Sequence, residues 1–351
     1  MNMVHISADR EYDVIIDIPF QREVERISAG RARVAVFFSE YMQHAIPQFS
    51  AGDAEFFFFP IPDGEAGKSS QTLQQSWNWL GAAGFTRSDL VIAIGGGAVT
   101  DFAGFVAASW LRGIDWVAVP TTIAGMVDAS VGGKTGINSD YGKNLIGAFY
   151  SPIEVVIDPQ WLHTLSDRDF AAGLAEVIKC GFIKDSKILE LFEGKNLADI
   201  RASRETTIEL IQRSVAVKAA VVSGDFKESF DREILNYGHT FGHAVELLSN
   251  YSFRHGECVA IGMAYVAQLS ALLDLISADL LAKHLAILGA IGLPTKYSDS
   301  EWPELHSAMK LDKKSRGNSM RFVVITEIGK TQRLENPKES DLIAAYEKVS
   351  Q

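Results

Sequence analysis

Leu90-Val91-Ile92-Ala93-Ile94-Gly95-Gly96-Gly97-Ala98-Val99-Thr100 is the stretch that decides the fold. Its first five residues are an unbroken apolar run, as expected of a strand buried on both faces. Three glycines then turn the chain, and a helix is expected to begin near Thr100. Glycines at such a turn let the backbone approach a phosphate, and the helix N-terminus offers free N–H groups and a positive dipole. The spacing departs from the dinucleotide fingerprint G-x-G-x-x-G. Thr100 holds the third glycine position, and Asp115 is a weak candidate for the ribose-binding acid. On spacing alone, a phosphate cradle and a plain tight turn both stay open.

Outward from this stretch, strand-like and helix-like segments alternate. Strands are expected at Asp13–Ile18, Arg33–Ser39, Glu55–Phe59, Leu90–Ile94, Trp116–Val119 and Val155–Ile157, with helices such as Ser69–Ala83 and Asp101–Leu111 between them. That alternation predicts a mostly parallel sheet. From Asp167 onward the pattern turns helical: Asp167–Ile183, Thr206–Val222, Arg232–Leu248, His255–Leu275 and Ala278–Ile291, with one strand expected at Met320–Ile325. The break falls between Asp158 and Ser166. An α/β domain over residues 1–162 and a helical domain over residues 163–351 follow.

The 351 residues are long enough for about two domains of roughly 150 residues each. With 33 Lys+Arg against 44 Asp+Glu, the formal net charge is -11. That excludes a nucleic-acid binder, which needs a basic surface, and docking on anionic lipid. An anionic ligand would need a local cationic pocket. Two cysteines, Cys180 and Cys258, cannot build a disulfide framework and suggest a reducing compartment. The N-terminal residues lack the basic and apolar regions of a signal peptide. The longest apolar stretch, Val259 to Ile276, is interrupted by Gln268, Ser270 and Asp274 and reads as a buried helix. A cytoplasmic protein is expected.

Several constellations could carry chemistry. Gly132-Gly133-Lys134-Thr135 resembles the end of a Walker A loop, but Asp128 stands where that motif needs glycine. What remains is a glycine-flanked lysine, joined nine residues later by Lys143-Asn144. Glu176 and Lys179 share a helix face at i,i+3 on an apolar helix, either as an internal ion pair or as a metal ligand beside a catalytic cation. His239 and His243 lie at i,i+4, and His255 follows. No Glu follows His239, which argues against a metallopeptidase. Two imidazoles, His239 and His255, with a carboxylate such as Glu176 would make a metal site with an open position. Cys258 reads as a small buried thiol. No Gly-x-Ser-x-Gly elbow supports a serine hydrolase.

Taken as a series, these motifs are familiar. Ile94-Gly-Gly-Gly-Ala-Val-Thr-Asp101-Phe-Ala-Gly104, Leu111-Arg112-Gly113, Pro120-Thr121-Thr122, Asp128-Ala-Ser-Val-Gly-Gly-Lys134, Gly142-Lys143-Asn144, Glu176-Val-Ile-Lys179, Asn236-Tyr-Gly-His239-Thr-Phe-Gly-His243, His255-Gly-Glu257 and Asp312-Lys313-Lys314 resemble the 3-dehydroquinate synthases. The resemblance runs from about Tyr12 to the C-terminus with the motifs in family order.

It implies a Rossmann-like NAD-binding α/β domain, a mostly α-helical metal-binding domain, and an active site between them. The implied reaction is a closed redox cycle on 3-deoxy-D-arabino-heptulosonate 7-phosphate. NAD+ oxidises the C5 alcohol, phosphate leaves by β-elimination, the hydride returns, and the opened ring closes again by an intramolecular aldol step. Glu176, His239 and His255 match the Zn2+ or Co2+ ligands. His243 matches a substrate-site histidine and not a ligand. Lys134, Asn144, Lys179, Lys218, Arg232, Asn236 and Lys314 or Lys313 match substrate-binding positions. Lys134, Lys179, Lys218, Arg232, Asn236 and His243 form the catalytic set among these. Arg112 matches a residue reaching in from a neighbouring subunit, which implies a homodimer. Asp128, shared with the substrate, and Lys143 line the nicotinamide side. Gly96, Gly97, Asp101, Thr121, Thr122, Glu65 and Lys68 match cofactor contacts.

Paired Lys/Arg contacts suit a substrate carrying a carboxylate and a phosphate. The stretch from Phe226 to Asp231 departs from the commonest family pattern, while Arg232 keeps its distance from Asn236. Three rival readings are a metal-dependent polyol dehydrogenase, a sister sugar-phosphate cyclase, and a non-catalytic binding protein. The first would have no need of so many anion-binding cations.

Overall fold

The computed structural model describes residues 2–225, 231–312 and 320–351. The chain forms two units, Met1–Leu165 with Lys218–Lys227, and Ser166–Val217 with Glu228–Gln351.

In the first unit the strands are β1 (Asn2–Ser7), β2 (Glu11–Ile16), β3 (Arg33–Ser39), β4 (Glu55–Ile61), β5 (Leu90–Gly95), β6 (Asp115–Pro120), β7 (Lys134–Ser139), β8 (Gly142–Phe149) and β9 (Glu154–Ile157). The helices are α1 (Phe20–Ser28), α2 (Ser70–Ala82) and α3 (Gly97–Ser109). Seven strands form one sheet in the order β1-β2-β9-β6-β5-β3-β4. Only β1 runs antiparallel to its neighbour. β5 lies inside this sheet and every one of its residues is buried, which is why its sequence is continuously apolar and not alternating. An aromatic cluster of Phe37, Phe57, Phe59, Trp79 and Phe85 ties β3 and β4 to α2.

Two expectations for this unit need correction. The helix after β5 begins at Gly97, not near Thr100, because Gly96 is still extended and serves as its N-cap. Asp115 is no ribose acid. It pairs with Leu90 at the start of β5, the end away from the glycine turn, and accepts from Arg10 at 3.1 Å and Arg31 at 2.8 Å. The β7–β8 hairpin was not expected from periodicity, since glycine and polar residues break its alternation.

The second unit is built from α4 (Asp167–Ile183), α5 (Ser186–Phe192), α6 (Leu197–Ala202), α7 (Arg204–Gly224), α8 (His239–Leu248), α9 (His255–Leu272), α10 (Ala278–Ala290), α11 (Trp302–Asp312) and α12 (Glu339–Ser350). The residues of α7 from Lys218 onward group with the first unit. An antiparallel pair, β10 (Arg321–Glu327) and β11 (Lys330–Glu335), adds a second strand to the one expected. α9 is buried along nearly its whole length and packs against α4, α8 and α12. The ring of Phe241 on α8 stacks on Tyr265 of α9 with centroids 4.0 Å apart.

The single helix expected over Arg232–Leu248 is two elements. A 3-10 turn over Asp231–Asn236 is followed by α8, and Gly238 between them sits at φ +80°. Only glycine takes that conformation without strain, so the chain changes direction there. The consequence is that His239 opens a helix instead of lying in the middle of one. No helix among the described residues is long and apolar enough to cross a membrane.

Candidate metal centre and nucleotide site

Three helices place the metal candidates. α4 carries Glu176 and Lys179 one turn apart, while His239 and His255 are the first residues of α8 and α9. Two features fix the start of α9 against α4. A Cβ on Gly256 would lie 1.8 Å from the carbonyl oxygen of Ala172, so only glycine allows this approach. Glu257 accepts from the Arg254 N–H at 2.8 Å and from Arg168 at 2.6 and 2.7 Å. That bidentate pair is the strong form of a charge-assisted contact.

The carboxylate of Glu176 is buried and its two oxygens differ. Oε2 accepts from the Lys179 ammonium, itself buried. Oε1 accepts no hydrogen bond among the described residues and lies 3.6 Å from His239 Nε2 and 3.5 Å from His255 Nε2. Both readings of Glu176 and Lys179 therefore hold together: an internal ion pair on one oxygen, a potential ligand on the other. His239 Nδ1 faces the Tyr237 carbonyl at 3.1 Å, so donation there leaves the Nε2 lone pair toward Glu176. The ligand atoms of Glu176, His239 and His255 lie within 4.8 Å of one another.

The electrostatics set the two histidines apart in the absence of a cation. Burial opposes ionisation of Glu176, but Lys179 and the two histidines hold its carboxyl well below the usual carboxylate range. Burial and then the neighbouring Lys179 charge push His239 down, toward the neutral form a metal requires. His255 is pushed up, because the Glu176 and Glu246 carboxylates outweigh its burial. A buried carboxylate oxygen with no donor, facing two imidazole nitrogens, fits a divalent cation such as Zn2+.

His243 lies one turn beyond His239, with ring centroids 5.2 Å from His239 and 6.0 Å from His255. Arg232, 1% exposed, and Asn236 lie on the 3-10 turn before α8. Glu233 in that turn accepts from Arg333 of β11 at 2.6 Å. Lys313 and Lys314, and the divergent stretch from Phe226 to Phe230, lie outside the described residues.

In the first unit, Gly96 and Gly97 stand at the C-terminal end of β5, and Thr121 and Thr122 follow β6 beside it. The Thr121 N–H donates to the Gly95 carbonyl at 2.9 Å. A Cβ on Gly96 would lie 3.3 Å from Thr122 Cγ2, so a side chain at this position would crowd the threonine. The α3 N-terminus behind it can meet a pyrophosphate. Lys68, only 2% exposed, donates to Asp101 Oδ2 at 2.7 Å and to the Asn144 side-chain oxygen. Glu65 lies 3.7 Å from the Lys143 ammonium and accepts from Asn138 Nδ2 at 2.6 Å. Glu65, Lys68, Asp101, Lys143 and Asn144 thus form one polar cluster, and this donor set suits a nucleotide. Asn144 joins it although its family match is to the substrate. Lys218 donates to both the carboxylate and the carbonyl of Asp128. Lys134 opens β7 with its side chain exposed, and Arg112 is exposed in a turn at φ +67°.

Asn138, Glu246 and the Tyr237 carbonyl were not foreseen. Glu246 had a signal, lying seven residues after His239 and three after His243 on one helix face. Asn138 had none.

The family models described as 3-dehydroquinate synthase N-terminal and C-terminal match residues 58–172 and 173–315. The chain belongs to the 3-dehydroquinate synthase family. A relative named 3-dehydroquinate synthase from Corynebacterium glutamicum (strain R) is 47% identical, covering 99% of this chain and 98% of its own. Another of that name, from Thermobifida fusca (strain YX), is also 47% identical, covering 97% and 94%. Among solved structures, a 2-epi-5-epi-valiolone synthase from Streptomyces hygroscopicus subsp. jinggangensis 5008, with NAD+ and Zn2+ bound, superposes with a TM-score of 0.89. It is 25% identical and covers 99% of this chain and 98% of that one. The α/β unit with its parallel sheet and the mostly helical second unit are those of this family.

Proposed function

We propose that this chain converts 3-deoxy-D-arabino-heptulosonate 7-phosphate into 3-dehydroquinate and phosphate, a phosphorus–oxygen lyase step of the shikimate pathway toward aromatic amino acids. The observation that carries the reading is Glu176 Oε1, a buried carboxylate oxygen left to two imidazoles in a chain 47% identical to 3-dehydroquinate synthases. The sister cyclase stands at 25% identity, which favours dehydroquinate over another cyclitol.

When bound, NAD+ takes up and returns one hydride, and Zn2+ or Co2+ polarises the substrate's C5 oxygen. Glu176, His239 and His255 would hold the cation. Gly96, Gly97, Thr121 and Thr122 would hold the pyrophosphate, with Glu65, Lys68, Asp101, Lys143 and Asp128 as the remaining cofactor contacts. The substrate brings a carboxylate and a phosphate. Lys134, Asn144, Lys179, Lys218, Arg232, Asn236, His243 and a lysine at 313 or 314 are assigned to it. Lys179 neutralises Glu176 while keeping a donor near the metal ligands, and the leaving phosphate takes much of the proton transfer on itself. The same reading assigns a homodimer, with Arg112 serving the neighbouring subunit, and a cytoplasmic location.

The test is to measure phosphate and NADH together. Phosphate released from the heptulosonate phosphate with catalytic NAD+ and metal is expected. NADH accumulating in proportion to substrate, with no phosphate, would instead mark a dehydrogenase.

A further inference from the structure

The two histidines of the proposed metal centre are alike in one respect and different in another. Each turns Nε2 toward Glu176 Oε1, at 3.6 Å for His239 and 3.5 Å for His255. Each therefore needs its ring proton on Nδ1, because a nitrogen that binds a cation must carry a lone pair. For His239 the acceptor for that proton is a backbone carbonyl, that of Tyr237. For His255 no backbone acceptor takes this role among the described hydrogen bonds. Its Nδ1 faces Glu246 Oε2 at 3.4 Å, and Glu246 is a buried residue, 8% exposed, in the last turn of α8.

We infer that Glu246 is a positioning residue, which holds His255 in the Nδ1–H form and so aims Nε2 at the metal. The inference rests on the reading of Glu176, His239 and His255 as ligands. A second combination, His243 with Glu246 and His255, also gathers ligand atoms within 4.8 Å. It competes for the same imidazole. The opposed directions of the two ring nitrogens put Glu246 behind His255, on the side away from Glu176. A carboxylate behind a ligating histidine fixes the tautomer and ring orientation and raises the basicity of the ligand.

The test is Zn2+ binding to the metal-stripped full-length chain, read by competition with a chromophoric chelator. The wild-type chain is expected to bind one Zn2+. Glu246→Ala is expected to bind it about 10- to 100-fold more weakly. Glu246→Gln, whose amide oxygen still accepts a hydrogen bond, should stay within about threefold of wild type. Wild-type affinity in Glu246→Ala overturns the inference. So does a Glu246→Gln variant as weak as Glu246→Ala, since charge and not orientation would then matter. Two Zn2+ per chain would make Glu246 a ligand and overturn it as well. Failure of the metal reading itself is distinguishable: the wild-type chain would then not bind Zn2+, or Glu176→Gln would bind it as well as wild type.

Discussion

Lys179 donates to one oxygen of Glu176 and leaves the other to His239 and His255. The pair is buried, with side chains 3% and 2% exposed. A single carboxylate thus satisfies an ammonium and still presents an anionic edge. The lysine keeps that edge ionised against its burial, and the histidines supply the complementary lone pairs.

Removing one partner of this pair should separate its two roles. Glu176→Gln is expected to lose Zn2+ from the purified protein and at least a hundredfold in kcat, an estimate from the typical weight of a metal in such chemistry. Lys179→Met leaves a buried carboxylate unpaired and should cost about 3–5 kcal/mol of stability. Metal content by elemental analysis and urea unfolding check both. Full Zn2+ content in Glu176→Gln would remove this residue from the ligand set.

The Lys68–Asp101 contact bears on the nucleotide. The ion pair is 2.7 Å long, and Asp101 is held against a strong burial effect that pushes its carboxyl up. Asp101→Asn should weaken NAD+ binding about 10- to 100-fold, the worth of a charge-assisted hydrogen bond. Calorimetric titration of NAD+ measures it, with Zn2+ content as the control. Unchanged NAD+ affinity would take this cluster out of the cofactor site.

Legibility in the sequence followed the continuity of apolar segments. β3 (Arg33–Ser39) and α4 (Asp167–Ile183) were readable to the residue, because one is a short unbroken apolar run and the other a long apolar segment opened by Ser166. The break before His239 was not, since Gly238 looks like a tolerated glycine inside a helical pattern until its φ of +80° is known. The β7–β8 hairpin was hidden for a similar reason, its glycines diluting the alternation. At the site, the ligand trio could be assembled from residue type and family resemblance. The acceptors behind its imidazoles were harder: the Tyr237 carbonyl has no side-chain signature, and the spacing of Glu246 from His239 and His243 puts it on their helix face without naming His255 as its partner. Asn138 entered the Glu65 cluster only through long-range folding, 73 residues away.

Two glycine substitutions should have opposite effects. Gly256→Ala would force a Cβ to 1.8 Å from the Ala172 carbonyl oxygen, whereas Gly289, within α10, has nothing within 4 Å of its Cβ position. Gly256→Ala is expected to cost about 1–3 kcal/mol or more and to lower Zn2+ affinity by shifting His255. Gly289→Ala should add about 0.4–1 kcal/mol by restricting the unfolded chain. Thermal melts of the two variants against wild type decide this. A Gly256→Ala variant as stable as wild type, with full metal affinity, would show that α9 is not held against α4 by that contact.

His284 should shape the acid side of the stability profile. It is fully buried, stacked on Phe182 with ring centroids 3.6 Å apart. Its Nδ1 donates to the Leu280 carbonyl at 2.7 Å, and its Nε2 accepts from the Tyr237 hydroxyl at 2.9 Å. Burial, partly offset by the Leu280 contact, pushes its pKa from 6.5 down to about 4. The folded state thus holds it neutral, while the unfolded chain protonates it below about pH 6.5. Its contribution is complete above pH 6.5 and is lost as the pH falls from there toward 4, about 3 kcal/mol over that window. Between pH 4.5 and 6 the slope from this one group is about 1 kcal/mol per pH unit. His284→Leu removes the titration but also strands the Tyr237 hydroxyl, so its absolute stability is a poor readout. The slope is the useful one. Urea unfolding of wild type and His284→Leu across that range should give curves that converge as the pH falls. Parallel curves would mean that His284 titrates normally in the folded chain.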